Sequence, residues 1–282
     1  MKSILLPTDF SNNSLNAIKY AVSIFKDVSC NFYLLNVQKA SSFISDDMMV
    51  MSASTTIYET LISAAKKSIE NIIQKIEAKY NNEKHHFHSI VDYDNLIDSI
   101  NQTSKIRNID LIIMGTKGAS GLKKVLFGSN TVHVMQRCHV PVLAIPDNYK
   151  FTGLSKVAFS TNHLSPNTLE DLGPLKELFM LYDFDLDILH LIEEDNAYYK
   201  VFNNESFFKA NFNNVKHQYF TTNSETILDA VQNYIAENNI EMLAIMNKKH
   251  AFLQRLFKNY LVKTIAFKVE VPFLVMPKME AQ

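Results

Sequence analysis

Four apolar strings occur twice in this chain, in the same order. The stretch from Lys2 to Ser11 returns from Lys156 to Ser165, and Phe32–Val37 returns as Leu186–Leu191. Asp110–Gly115 returns as Glu241–Asn247, and Val140–Pro146 returns as Val271–Pro277. Ordered self-similarity of this kind marks a chain built from two copies of one structural unit. The 282 residues suit two domains of ordinary size. The expected units are residues 1–147 and 154–282. The join is a polar stretch near Asp147 to Leu154, with Pro146 before it and Gly153 inside it.

Within a unit, short apolar runs alternate with helical spacing. Ile4–Leu6, Phe32–Val37, His85–Val91, Leu111–Met114 and Val142–Ile145 read as strands. Helical spacing runs over Asn13–Phe25 (apolar at Leu15, Ile18, Ala21, Val22 and Phe25), over Thr60–Tyr80 and over Asn95–Ser104. Strands alternating with helices predict an α/β unit: a parallel sheet with helices on both faces.

The chemistry concentrates after Leu111–Met114. Only six glycines occur in the chain, and Gly115, Gly118, Gly121 and Gly128 all fall between that strand and the helical stretch Asn130–Gln136. Glycines at such a place let backbone N–H groups approach an anion closely. The start of the following helix adds unpaired N–H groups and a positive dipole end. The stretch therefore reads as a phosphate cradle; a glycine-rich surface loop is the alternative. A Walker loop and the Gly-x-Gly-x-x-Gly dinucleotide fingerprint are both absent. The backbone of Gly115, Gly118, Gly128, Ser129 and Asn130 is expected to face phosphate, with the Ser129 and Thr131 hydroxyls as further donors. Lys117, Lys123 and Lys124 either add charge there or are solvated.

Gly-x2-Gly-x9-Gly-Ser, from Gly115 to Ser129, resembles the nucleotide-binding signature of the universal stress protein family. So do Pro7-Thr8-Asp9-Phe10-Ser11, the strand end Leu34–Val37, and Pro141–Pro146, so that the resemblance covers residues 2–146. It implies two tandem adenine-nucleotide α-hydrolase-like domains, each a five-stranded parallel sheet of order 3-2-1-4-5. Ligands of such sheets sit at the switch point, beyond the carboxyl ends of strands 1 and 4. The resemblance further implies ATP or ADP as ligand, with Mg²⁺ a candidate companion. It places Thr8 and Asp9 beside the nucleoside and phosphates, has Val37 meet adenine through its backbone, and has Met114 line the same pocket. Capping of the next helix is the alternative role for Asp9. The fifth strands, Val142–Ile145 and Phe273–Met276, are expected to meet edge to edge about a pseudo-two-fold axis.

The second copy of the motif has decayed. Gly115 becomes Asn247, Asp9 becomes Asn162, and Gly128-Ser129 become Lys258-Asn259. No glycine is left between Asn247 and Phe257. A side chain at a close-approach position obstructs a backbone cradle. One nucleotide per chain is therefore expected, in the first unit, with the second unit a scaffold or dimerisation partner. Lys248, Lys249 and Lys258 read as a solvated basic loop.

The remaining features carry less. His85, His86 and His88 read as partly exposed strand histidines, and no metal site is expected. Gln38–Thr56, with Met48, Met49 and Met51, reads as a flap near the nucleotide. The aromatic segment from Tyr198 to Phe212 reads as core packing of a short helix, with an interface or an apolar ligand site as the alternatives. Glu193, Glu194 and Asp195 read as a charged loop. Cys30 and Cys138 read as small core residues in a reducing compartment. A net charge of −1 points to neither nucleic acid nor anionic membrane. No run is long enough to span a bilayer, and a soluble cytoplasmic protein is expected. The function that follows is a stress-response sensor or regulator whose output is conformational. No catalytic residue is nominated, because phosphoryl transfer needs a positioned nucleophile and a charge clamp, and no arginine precedes Arg137 in this loop and helix. Left open are a slow Mg-dependent ATPase or phosphotransferase using Asp9, a nucleotide-independent interaction scaffold, a homodimer, and a protein partner of unknown kind.

Overall fold

The structure is a computed structural model, and it describes residues 1–38, 51–117, 127–161, 168–193, 205–222, 227–247 and 270–277. The first unit runs β1 (Lys2–Pro7), α1 (Asn12–Ile24), β2 (Cys30–Val37), α2 (Met51–Tyr80), β3 (His85–Asp92), α3 (Leu96–Arg107), β4 (Leu111–Gly115), α4 (Ser129–Arg137) and β5 (Val142–Ile145). The second runs β6 (Lys156–Thr161), α5 (Gly173–Tyr182), β7 (Asp185–Glu193), α6 (Glu205–Asn211), β8 (Val215–Thr222), α7 (Ile227–Glu237), β9 (Met242–Asn247) and β10 (Phe273–Pro277). No helix among the described residues is long and apolar enough to cross a membrane.

The strands form one ten-stranded sheet of order β3-β2-β1-β4-β5-β10-β9-β6-β7-β8. Each half has the expected order 3-2-1-4-5, parallel throughout. The halves meet at their fifth strands, which pair antiparallel with Leu143 opposite Leu274 and Ala144 opposite Phe273. An open sheet edge presents unpaired N–H and C=O groups; here each half closes one edge of the other. The central strands are buried on both faces, which is why they read as near-continuous apolar runs. Ile4, Leu6, Phe159 and Leu274 point into one core layer, while Leu5, Ala158 and Phe273 point into the other. Both layers run across the seam.

The register corrects the repeat by one residue in the first strand, and at the end of the fourth, where Gly115 is equivalent to Met246 and not to Asn247. Leu5 pairs with Ile112 and Ala158 pairs with Leu243, while Ile112 and Leu243 sit opposite Val142 and Phe273. Leu5 is therefore equivalent to Ala158, and Ser3 to Lys156, whereas the matching letters align Lys2 with Lys156. A slip of one residue would exchange the two faces. Hydrogen bonds support the corrected alignment. The Ser3 amide donates to the Asp110 carboxylate (2.8 Å) and the Asp110 amide to the Ser3 carbonyl (2.8 Å). Lys156 and Glu241 repeat both bonds, at 3.1 and 2.9 Å.

Several local expectations change. Helix α2 starts at Met51, so residues 51–56 are helical and not part of a loop; Met48 and Met49 lie outside the described residues. His85 is buried, its Nε2 3.0 Å from the Phe25 carbonyl oxygen, whereas His86 and His88 are exposed. Phe208 and Phe212 enter the core as expected of a short helix, while Tyr198, Tyr199 and Phe202 lie outside the described residues. Cys30 and Cys138 are buried free thiols. The join is no loose tether: Leu154 is buried, and Tyr149 and Phe151 pack against the core. Residues 248–269, which hold the degenerate second loop, are outside the described residues.

Candidate functional site

The carboxyl ends of β1 and β4 lie side by side, and the chain leaves them toward α1 and toward the glycine-rich loop. Beyond β1, Thr8 is tied on all sides. Its amide donates to the Leu35 carbonyl (2.8 Å), and its own carbonyl accepts from Asn36 Nδ2 (2.7 Å). Its buried hydroxyl oxygen accepts from the Phe10 amide (3.1 Å) and lies 3.0 Å from the Ser14 hydroxyl. Phe10 has φ 64°, a left-handed conformation uncommon for a bulky residue. Such residues concentrate at functional sites, where their surroundings hold them. The exposed Asp9 carboxylate accepts from the Ser11 amide (3.1 Å). Asp9 does not cap α1. Ser11 is the N-cap, its hydroxyl accepting from the Ser14 amide at 3.2 Å.

Beyond β4, the loop is closed at its mouth. The Thr116 amide donates to the Ile145 carbonyl (3.0 Å), and the Thr116 carbonyl accepts from the Gly128 amide (2.7 Å). One turn into α4, the Thr131 hydroxyl donates to the Gly115 carbonyl (2.9 Å) from a position only 2% exposed. The Lys117 amide donates to Asn13 Oδ1 (3.1 Å), and Asn13 Nδ2 reaches Asp147 Oδ1 at 3.5 Å. Gly118, Gly121, Lys123 and Lys124 lie outside the described residues.

These bonds redistribute the roles expected of the glycines. A Cβ on Gly115 would sit 1.9 Å from Asn13 Oδ1 and 3.1 Å from the Asn13 backbone carbonyl carbon. The glycine there makes room for the first turn of α1. The Gly128 amide is engaged by Thr116, and the Thr131 hydroxyl by Gly115. What these bonds leave over is the start of α4. Gly128 is its N-cap, with φ −64° and ψ 152°, and as a glycine it supplies no side-chain cap. The amides of Ser129, Asn130 and Thr131 have no acceptor within the helix, and Ser129 and Asn130 are exposed. A glycine N-cap sets no side chain of its own over this positive helix end, and amides at such an end suit an anion. The residues present therefore fit a phosphate group.

Val37 ends β2, half-buried and opposite Asp92, and Met114 is buried beside Ala144. Both contribute to the apolar cluster that contains Leu5 and Leu35. Sequence reasoning missed Asn13, Asn36 and Thr116, all buried and all bonded at this crevice. For Asn13 a signal existed. It stands one helical turn before Ala17, on the face that continues through Tyr20 and Ile24, so a polar residue occupies a core-facing position.

Residues 1–146 match the model of the universal stress protein family. A universal stress protein of Methanocaldococcus jannaschii is 28% identical over 144 residues, covering 51% of this chain and 81% of that protein. A second from the same organism is 26% identical over 157 residues, covering 51% and 94%. Over the whole length, the crystal structure of a universal stress protein from Archaeoglobus fulgidus has the same fold. Its TM-score is 0.67 at 18% identity, covering 98% of this chain and 96% of that one.

Proposed function

The chain belongs to the universal stress protein family, and from that premise we propose that it is a regulator that binds one adenine nucleotide, ATP or ADP, in the unit of residues 1–147. The single observation that carries the reading is the start of α4 behind Gly128, an N-cap with no side chain to occupy the helix amides, beside the carboxyl ends of β1 and β4. In this reading the amides of Ser129, Asn130 and Thr131, together with Gly118, hold the phosphates. Thr8 and Asp9 flank the sugar, where the exposed Asp9 carboxylate accepts from a ribose hydroxyl. Val37 and Met114 border the base. Gly115 and Gly128 shape the loop through their contacts with Asn13 and Thr116, more than through amides aimed at the ligand. The bound nucleotide supplies a polyphosphate charge that favours one arrangement of the loop, and the output is conformational. The unit of residues 154–282 binds none in this reading, because its sequence lacks the corresponding glycines.

The test is calorimetry with ADP and ATP on the intact chain, together with mass spectrometry of the nucleotide that co-purifies. One adenylate per chain is expected. Gly128→Asp sharpens the test. The φ and ψ of Gly128 suit any residue, and an aspartate N-cap stabilises a helix by a few tenths of a kcal/mol relative to glycine. Its carboxylate would occupy the same amides and repel phosphate. The variant is expected to fold at least as well as the parent while losing tenfold or more in nucleotide affinity. Unchanged affinity would remove the start of α4 from the site, and two nucleotides per chain would overturn the one-unit reading.

A further inference from the structure

We propose that Asn13 couples this site to the seam between the two units, so that nucleotide occupancy and docking of the second unit influence one another. The inference rests on the nucleotide reading above and assigns that site its regulation.

Asn13 is a buried amide, 6% exposed, gripped by two segments that are remote in sequence. Its Oδ1 accepts from Lys117, where the chain enters the glycine-rich loop, and its Nδ2 reaches Asp147, where the chain leaves β5 for the second unit. Three residues on, and on the same face of α1, Asn16 Nδ2 donates to the carbonyls of Pro146 (3.3 Å) and Tyr149 (3.0 Å). The Tyr149 hydroxyl then donates to the Glu241 carbonyl of the second unit (3.2 Å), and the Glu241 carboxylate holds the amides of Ser155 and Lys156 at the start of β6. Aromatic contacts run in parallel. Phe151 lies edge-on to Tyr20 of α1 and to Tyr182 of α5, with centroids 5.4 Å apart in each pair. The Tyr182 hydroxyl donates to the Ile24 carbonyl at the end of α1.

Helix α1 is thus fixed to the entrance of the glycine-rich loop at its first turn, to the join along its length and to the second unit at its last residue. A ligand that shifts the backbone at Lys117 acts on the same Asn13 amide that faces Asp147. Coupling of this kind is reciprocal: whatever the ligand does to the seam, the seam does to the ligand's affinity.

The experiment uses the intact chain and ADP as probe. Amide exchange is followed by mass spectrometry in the segment 146–151, with affinity measured in parallel by calorimetry. In the unsubstituted chain, saturating ADP is expected to slow exchange at the Tyr149 amide, which is bonded to the Pro146 carbonyl, by about fivefold or more. In Asn13→Ala, ADP still binds at saturating concentration but the segment no longer responds. Absence of ADP binding to the unsubstituted chain defeats the nucleotide reading, and this inference with it. Binding without a response at 146–151 overturns the coupling alone, and a response that persists in Asn13→Ala overturns the route through Asn13. Should Asn13→Ala not fold, Tyr149→Phe decides. It keeps the ring, loses the hydroxyl bond to Glu241 and lies outside the site, and it is expected to weaken ADP by about fivefold. An affinity within about twofold of the parent then overturns the proposal.

Discussion

Replacing Gly115 with alanine separates a packing role from a ligand role, because the ligand-free protein already responds. The added Cβ would stand 1.9 Å from Asn13 Oδ1 and 2.7 Å from its Cγ. The amide can swing aside only by releasing the Lys117 amide, and the Asn13 backbone carbon, 3.1 Å away, belongs to a helix packed on the sheet. Forcing one extra carbon into a packed site costs about 1–3 kcal/mol. Losing the Lys117 hydrogen bond adds about 1 kcal/mol, so the expected loss is about 2–4 kcal/mol. With a urea slope of about 2–3 kcal/mol/M, the unfolding midpoint falls by about 1 M. The assay is urea unfolding by circular dichroism on nucleotide-free protein, repeated in the Asn13→Ala background. There the two closest obstructing atoms are gone, and Gly115→Ala should cost at least about 1 kcal/mol less, a coupling between touching residues. A Gly115→Ala variant as stable as the parent, or costs that simply add in the double variant, would refute the packing argument.

Three further outcomes are expected. Thr131→Val keeps the side-chain shape but leaves the Gly115 carbonyl without its hydroxyl donor, costing about 1–3 kcal/mol; an unchanged thermal midpoint would contradict this. Leu274→Ala empties a fully buried position opposite Leu143 on the seam. It should cost about 2–5 kcal/mol in urea unfolding, and a loss under 1 kcal/mol on the same scale would show the seam to be loosely packed. Stability should also fall on the alkaline side. Burial pushes the Cys30 and Cys138 thiols from 9.0 up to about 12, and burial, aided by the Glu241 carboxylate, raises the Tyr149 phenol. The unfolded chain ionises these groups first, so their contribution is complete below about pH 9 and is lost as pH rises toward 12. Urea midpoints that stay level from pH 8 to 11 would contradict the burial of these groups.

Strand identity was legible because a strand buried on both faces leaves an unbroken apolar run, and Leu111–Met114 and Val142–Ile145 read that way from letters alone. Register was not legible in the first strand. Lys2 and Lys156 look equivalent, yet both sit at the sheet margin, where identity costs little; the face that Leu5 and Ala158 share decides the alignment. The early start of α2 was hidden by Ser52, Ser54, Thr55 and Thr56, whose helix propensity is modest and easily overridden by the rest of a 30-residue helix. His85 looked like its exposed neighbours because alternation along β3 does not reveal that the Phe25 carbonyl waits on the inner side. The glycines were legible as a cluster, but sequence does not say what occupies the space a missing side chain leaves. At Gly115 that occupant is Asn13.

The two units diverge where a ligand would be read and agree where packing is decided. The Ser3–Asp110 bonds recur between Lys156 and Glu241, and the left-handed Asn108 that ends α3 recurs as Asn239, two residues before each β4-type strand begins its margin bond. At the carboxyl end of the second strand the pattern breaks. Asn36 donates to the Thr8 carbonyl in the first unit, whereas its register equivalent His190 lies with Nε2 2.7 Å from His217 Nδ1 and stacks on Tyr219. Retaining the framework while replacing the strand-end residues has a physical rationale in the seam. β5 needs an antiparallel neighbour whatever that neighbour binds, and β10 can supply one only if β6, β9 and the helices around them fold. The second unit is therefore held to its architecture by the edge it covers, and its loops are free of that constraint.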